Sequence, residues 1–423
     1  MLLLDRLRWQ AAPRALPVAV ACILILPLAL LYARALAEIL IGVVDALFLL
    51  HVWAERNRRW HRSAFVWASG AWWLWQILCS IIGTGGIVLA LVACRLPLFA
   101  VALGEWGLRH SRTRRILWWV LAACVAWIIL ESWQQALFGA NLFGHARWGD
   151  GALTGPFNRP RAGPALILIL YPVLVPAAAW LLSRRRLIWR IAAGLLAGLG
   201  VASVLLIGQR MPSVLALLGL ALTAALLPRL SAGAAAAAIL GALLVCAMPV
   251  MAPDTYHKLI TRTQEQLDHF VYSPYGEIWV RATVLAKQHP WTGLGFDGFR
   301  RGCNDPHAIQ GLPELGVTLA EARISTDACN IHPHNYYLEA ADNGGLPLLA
   351  CFVAMVAAAW RLLARGVRRG LDPLRVGLLV AVTLAFWPVA STSAFTSMPN
   401  AGWIFLLLGF GFAEEKEKKT VLF

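Results

Sequence analysis

Residues 162–208 read AGPALILILYPVLVPAAAWLLSRRRLIWRIAAGLLAGLGVASVLLIG, and this stretch decides the fold. Two apolar runs, 162–182 and 187–208, flank a knot formed by Arg184, Arg185 and Arg186. A helix rises about 1.5 Å per residue, so roughly 20 apolar residues cross the hydrocarbon core of a bilayer. Each run is long enough. The arginines between them suit a turn retained in the cytoplasm. The same pattern recurs on both sides, giving twelve apolar runs: 15–33, 35–54, 64–82, 86–108, 116–140, 162–182, 187–208, 211–228, 232–252, 336–359, 374–394 and 399–413. They predict an all-α polytopic membrane protein with about twelve transmembrane helices.

Composition agrees. The 423 residues are 59% hydrophobic and 14% charged, with mean hydropathy +0.66. No soluble core hides that apolar excess, so a water-soluble globule, a disordered chain and a disulfide scaffold are excluded. Twenty Trp fit a membrane interface. No cleaved signal peptide is expected, because Met1 to Arg14 is basic and no cleavage pattern follows the first run. Twenty-four of the 37 Lys and Arg fall in one alternate set of loops, including Arg56, Arg58, Arg59 and Arg62. By the positive-inside rule that set and both termini belong in the cytoplasm. The net charge of +15 is then chiefly a topology signal, not a nucleic-acid footprint.

The expected organisation is spans one to nine in 1–252, a periplasmic loop domain in 253–335, spans ten to twelve in 336–413, and a cytoplasmic tail in 414–423. The large loop holds six of the ten His. It reads as a helix over 255–270, then Pro274 and Gly276, then a helix over 277–288 with Ile278, Ala282 and Leu285 on one stripe. His289-Pro290 ends that helix, and Gly293, Gly295 and Gly298 form a turn-rich link. A loop of this length is usually functional, although capping the bundle would also account for it. Six cysteines lie in spans as apolar fillers, whereas Cys303 and Cys329 share the loop and would pair if that side is oxidising.

The densest polar cluster is His332-Pro333-His334-Asn335-Tyr336-Tyr337, where span ten begins. Three readings are open. A metal site needs more ligands, and a spacing of two does not place both His on one helix face. His334 or Asn335 could simply cap the helix. A neutral imidazole could also act as a general base. Arg147, Arg159, Arg161, Arg210 and Arg281 lie on the side that the positive-inside rule leaves poor in cations. Their planar forks suit phosphate oxygens, while pairing with a loop carboxylate such as Glu277 or Asp297, or with a lipid headgroup, is the plainer alternative for any one of them except Arg210, whose place in a short link between two spans favours function. Among charges within spans, Glu38 and Asp45 share a face and could pair with Arg95, as a structural ion pair or as a transporter's relay. The spans read as unbroken, which argues against a transporter's midplane site.

His334-Asn335-Tyr336-Tyr337-Leu338 followed by Gly344-Gly345-Leu346 resembles the His-Asn signature of the O-antigen ligase superfamily. Gly155-Pro156-Phe157-Asn158-Arg159-Pro160, Gln209-Arg210-Met211-Pro212, and Arg281 through His289-Pro290-Trp291-Thr292-Gly293-Leu294-Gly295 agree in order and spacing. The family often carries an Arg near the start of the second loop helix; here Glu277 is close to that place and Arg281 comes four residues later. The resemblance implies a GT-C-like enzyme of the bacterial inner membrane with its active site facing the periplasm and no cofactor or metal. It implies inverting transfer of O-antigen polysaccharide from undecaprenyl pyrophosphate to a lipid A-core sugar hydroxyl. His334 would be the base, with Asn335 and His332 supporting it. Arg210, Arg281, Arg147, Arg159 and Arg161 would hold the pyrophosphate. An O-antigen polymerase, a protein oligosaccharide ligase and, in another class, a solute or ion transporter are the alternatives.

Overall fold

The computed structural model describes residues 2–55, 60–184, 186–319, 329, 332–368, 372–390 and 393–420, with the side chains of 2–14, 366, 368 and 416–420 excepted. Arg56, Arg58, Arg59 and Arg185 of the basic loops lie outside the described residues. The chain is an all-α polytopic membrane protein. Among the described residues, nine stretches are helical, long and apolar enough to cross a membrane, from Ala15–Tyr32 through Tyr336–Arg365. Two shorter apolar helices, Arg210–Leu226 and Pro373–Ala385, fall where spans eight and eleven are expected.

The helices in chain order begin with α1 (Leu2–Tyr32), α2 (Arg34–Glu55), α3 (Ala64–Ile82), α4 (Ile87–Val92), α5 (Arg95–Ala102) and α6 (Ser111–Phe138). Next come α7 (Ala162–Leu182), α8 (Leu187–Ile207), α9 (Arg210–Leu226) and α10 (Ser231–Met251). The large loop carries α11 (Pro253–Tyr256), α12 (Arg262–Asp268), α13 (Pro274–Gln288), α14 (Gly298–Gly302), α15 (Pro306–Gln310) and a two-stranded antiparallel ribbon, Gly311–Leu312 with Val317–Thr318. The chain closes with α16 (Tyr336–Arg368), α17 (Pro373–Ala385) and α18 (Asn400–Thr420). Ser273 caps α13 by accepting from the Gly276 N–H, and Pro274 takes the first helical position, where its missing donor costs nothing.

Two expectations are corrected. The spans are not all unbroken: the fourth divides between α4 and α5 at Ala93-Cys94, and α16 leaves helical geometry at Gly344 and Gly345. Span eleven stops at Ala385 instead of 394, because Trp387 precedes Pro388 and the ring of a following proline disfavours helical backbone. α18 runs on to Thr420, and Glu414 accepts from the buried Arg114 guanidinium at 2.6 Å.

The break in α16 decides how the loop sits. Gly345 has φ +70°, and a Cβ there would stand 2.4 Å from the Pro290 carbonyl oxygen. The backbone of 290–295 enters the gap: Leu346 N–H donates to Pro290 O (2.7 Å), Leu294 N–H to Asp342 O (2.8 Å), and Gly295 N–H to Asn343 O (3.0 Å). Trp75 of α3 donates its indole N–H to Gly344 O at 2.9 Å. Peptide groups freed by the broken helix are thereby satisfied within the protein, as a membrane span requires. Ile278, Ala282 and Leu285 form a second small core with Phe299, Cys303 and Leu312, apart from the main core of the bundle. The loop is therefore a packed unit clamped to α16.

Inside the bundle, Glu38 takes both Nε and Nη2 of Arg95, at 2.9 and 3.0 Å. Asp45 is buried, and neither of its carboxylate oxygens hydrogen-bonds within the described residues. The relay set Glu38–Asp45–Arg95 thus reduces to one ion pair.

Candidate active site

The head of α16 is held from two directions. Asn335 Oδ1 accepts from the N–H of Tyr337 (2.9 Å) and Leu338 (3.2 Å), which caps the helix. Asn335 Nδ2 donates to Pro388 O at 2.7 Å, and the Tyr337 hydroxyl donates to Phe386 O at 2.8 Å. The segment after α17 therefore grips the same turn. His334 comes immediately before the cap with φ 52°, in the left-handed region that non-glycine residues rarely occupy. Buried Pro333 and Asn335 on either side hold that conformation. The His334 ring is half-buried and edge-on to two others, His332 at 4.4 Å and Tyr275 at 5.5 Å between centroids.

Arg210 is the first residue of α9, directly after the turn Gly208-Gln209. Its Nε donates to Lys258 O at 3.0 Å, and its Nη1 donates to Gln266 Oε1. Both acceptors are neutral. The charged or ionisable groups acting on it are Tyr275, Arg262 and Asp150. Asp150 is itself the partner of Lys258. Arg210 forms no ion pair among the described residues, and its guanidinium stays half-open. Tyr275 thus packs edge-on to His334 and acts electrostatically on Arg210. A cavity of about 60 Å³ between Met211, Pro212 and Tyr336 also separates the Arg210 turn from the head of α16.

Arg281 sits in different surroundings. Its guanidinium is 3% exposed and turned into the small core of the loop. Nη2 is paired with Glu277 one turn earlier, and Nη1 donates to Cys303 O at 3.3 Å. Cys303 and Cys329 are joined as a disulfide, and Arg281 Nη1 lies 3.4 Å from Cys329 Sγ. Both terminal nitrogens are thus engaged within the loop, and only the buried Nε has no hydrogen-bond partner among the described residues. Arg281 braces the loop.

Arg147, Arg159 and Arg161 divide. Half-buried Arg147 sits in the turn whose Asp150 carboxylate holds Lys258. Burial raises the Asp150 carboxyl, but the Lys258 ammonium and the Ala152 N–H outweigh it and bring the group below its ordinary range. Arg159 and Arg161 flank Pro160, whose carbonyl accepts from Gln209 Nε2 at 2.6 Å. Their neighbour in charge is Arg34. The turn that carries them is fixed by Asn141 Nδ2 on Gly155 O (2.7 Å) and by Gln135 Oε1, which accepts from Thr154 N–H (2.7 Å). Among the described residues no three His, Cys, Asp or Glu side chains form a group that could hold a metal ion.

Sequence reasoning missed Tyr275, Gln266 and Arg34. Arg34 was open to discovery, because it too is a cation on the side that the positive-inside rule leaves poor in them. Nothing in the spacing marks Tyr275 or Gln266, which reach the site only because the loop folds back.

Residues 197–353 match the family model described as O-antigen ligase (Wzy_C). The match begins within α8 and ends within α16. It takes in Arg210, Arg281, His332 and His334 and leaves out Arg34, Arg147, Arg159 and Arg161. No curated protein matches the sequence.

Proposed function

The chain belongs to the O-antigen ligase superfamily, and from that premise we propose that it transfers O-antigen polysaccharide from undecaprenyl pyrophosphate to a lipid A-core sugar hydroxyl on the periplasmic face of the bacterial inner membrane. The observation that carries this reading is Tyr275, whose ring meets His334 at 5.5 Å and which also acts on Arg210. Tyr275 is thus the one side chain that links the imidazole to the guanidinium of Arg210.

In this reading a ring nitrogen of His334 takes the proton from the acceptor hydroxyl. The acceptor oxygen forms its bond to the anomeric carbon while the bond from that carbon to the phosphate oxygen breaks. Attack from the opposite face inverts the configuration. Undecaprenyl pyrophosphate leaves with the bonding pair, and Arg210 offsets the charge that grows on it, with Arg147 on the flank. Electrostatic help at a leaving anion lowers the barrier without a protonating acid, so the paired carboxylates of glycosidases are not needed. The left-handed backbone at His334 and the tethered Asn335 cap serve to aim the imidazole, a positioning that unimolecular geometry rewards.

A polymerase of the same superfamily would use the same groups with a lipid-linked glycan as acceptor. The transporter alternative loses support because Arg95 is already committed to Glu38.

The test is reconstitution in vesicles with undecaprenyl-pyrophosphate-linked glycan and lipid A-core, without added metal or ATP. The expected product is glycan joined to lipid A-core. His334→Ala is expected to lower the rate by about two to four powers of ten. Near-normal transfer by that variant at equal protein level would overturn the role of His334. Growth of the lipid-linked glycan without use of lipid A-core would identify a polymerase.

A further inference from the structure

Arg34, Arg159 and Arg161 stand on two turns, far apart in sequence, that the fold brings together. Arg34 opens α2, and Arg161 is the N-cap residue of α7. The turns are tied together by Tyr32 and Phe157, whose rings lie 6.2 Å apart. The Arg161 guanidinium is held below its ordinary range, first by burial and then by the charges of Arg34 and Arg159. None of the three arginines forms an ion pair among the described residues. Glu38, one turn along α2, is taken by Arg95 through both of its oxygens.

Like charges repel one another, and the N-termini of α2 and α7 add partial positive charge of the same sign. An anion relieves that repulsion, and guanidinium forks suit phosphate oxygens. The surroundings set the depth. Tyr32 is 48% and Phe143 55% exposed, and Trp127 packs edge-on to Phe143 and donates to the Tyr32 hydroxyl. Aromatic rings in a membrane protein collect at headgroup level. The groups that act on each differ: Arg34 and Arg159 act on Arg161, whereas Tyr275, Arg262 and Asp150 act on Arg210. Gln209 stands between the two groups, with its amide on Pro160 O.

We propose that Arg34, Arg159 and Arg161 form a second anion site, separate from Arg210, that holds a phosphate monoester carried at headgroup depth by a membrane-anchored lipid. A monoester is dianionic, which matches three cations better than the single charge of a phosphodiester. Assigning this lipid to the acceptor rests on the transferase reading; the anion site does not. It leaves Arg210 to the donor and keeps the two phosphate-bearing substrates on either side of Gln209.

The test uses the full chain in phosphatidylcholine nanodiscs. Dioleoyl phosphatidic acid, phosphatidylglycerol, inorganic phosphate and inorganic pyrophosphate are supplied in separate arms, and bound ligand is read by native mass spectrometry. The wild type is expected to retain phosphatidic acid in preference to phosphatidylglycerol. Each guanidinium removed is expected to cost about tenfold in retention, so R34Q/R161Q should lose about a hundredfold. R210Q should keep phosphatidic acid and lose pyrophosphate. Should the double variant unfold, R34Q alone, changed at an exposed side chain, carries the tenfold expectation. Unchanged retention in these variants overturns the site, as does equal loss in R210Q, which would mean a single site. Equal holding of phosphatidylglycerol reduces the cluster to general surface attraction, and displacement of the lipid by inorganic phosphate at matched concentration removes its lipid specificity. Binding intact without glycosyl transfer would sink the transferase reading and leave this site standing.

Discussion

Arg210 packs against the 253–335 segment and Arg281 belongs to it, yet their surroundings are opposite. Arg210 leans on a backbone carbonyl and an amide oxygen, and its one nearby acid, Asp150, is already held by Lys258. Arg281 is closed in by Glu277, the Cys303 carbonyl and a disulfide. The sidedness of a cation says which compartment it faces. Its partners say whether any charge is left for a ligand. A buried guanidinium with its own carboxylate is part of the framework, whereas one propped by neutral acceptors keeps its positive potential.

The contrast breaks most sharply at Arg281. Arg281→Gln leaves Glu277 buried without its countercharge and should destabilise the loop by about 3–5 kcal/mol. Thermal unfolding and limited proteolysis between residues 253 and 335 read it. Arg281→Gln combined with Glu277→Gln should recover much of that loss. If Arg281→Gln leaves stability unchanged while donor binding fails, the two arginines exchange roles.

Arg210→Gln is expected to do the reverse. It should leave the unfolding midpoint close to wild type and lower transfer by about a hundred to a thousandfold, the usual effect of removing one stabilising donor from a developing anion. Arg210→Lys should rescue little of it, because a point charge does not reproduce the fork. Full activity of the lysine variant would mean that charge alone matters there.

Cys303→Ser sharpens the framework side. Opening a loop of sequence separation 26 frees the unfolded chain and should cost about 2–4 kcal/mol in loop stability, with the transfer rate per folded molecule preserved. A rate that falls without any change in proteolysis would place the disulfide in the site instead of the brace.

The smallest effect belongs to Asp150. Its carboxyl lies below the ordinary range when folded, so the stabilisation it supplies is fully present above that range and is lost as pH falls through the folded value. The gap in unfolding midpoint between wild type and Asp150→Asn should therefore narrow on acidification below the ordinary carboxylate range. A gap that widens instead would remove the Lys258–Asp150 pair as the prop beneath Arg210.

Much of this was legible before any coordinates. The apolar runs name the helices, and His334 and Arg210 stand out by residue type and position. The loop stripe Ile278, Ala282 and Leu285 is buried, as its spacing suggests. Arg281 matches Arg210 in type and expected compartment; the turn of α13 that points it at Glu277 separates them. Gly344-Gly345 could be quoted as a motif, but its use as a socket for residues 290–295 depends on a backbone that arrives from fifty positions away.

What the sequence determined alone is the class of solvent and the elements that fit it. Burial of apolar area and internal satisfaction of peptide groups are local properties, counted residue by residue along a helix. What only the tertiary structure decided is which charges cancel. Coulomb attraction and hydrogen bonding depend on distance in space, and the chain brings Glu38 to Arg95, Tyr275 to His334, and Arg34 to Arg161 across separations that no periodicity encodes.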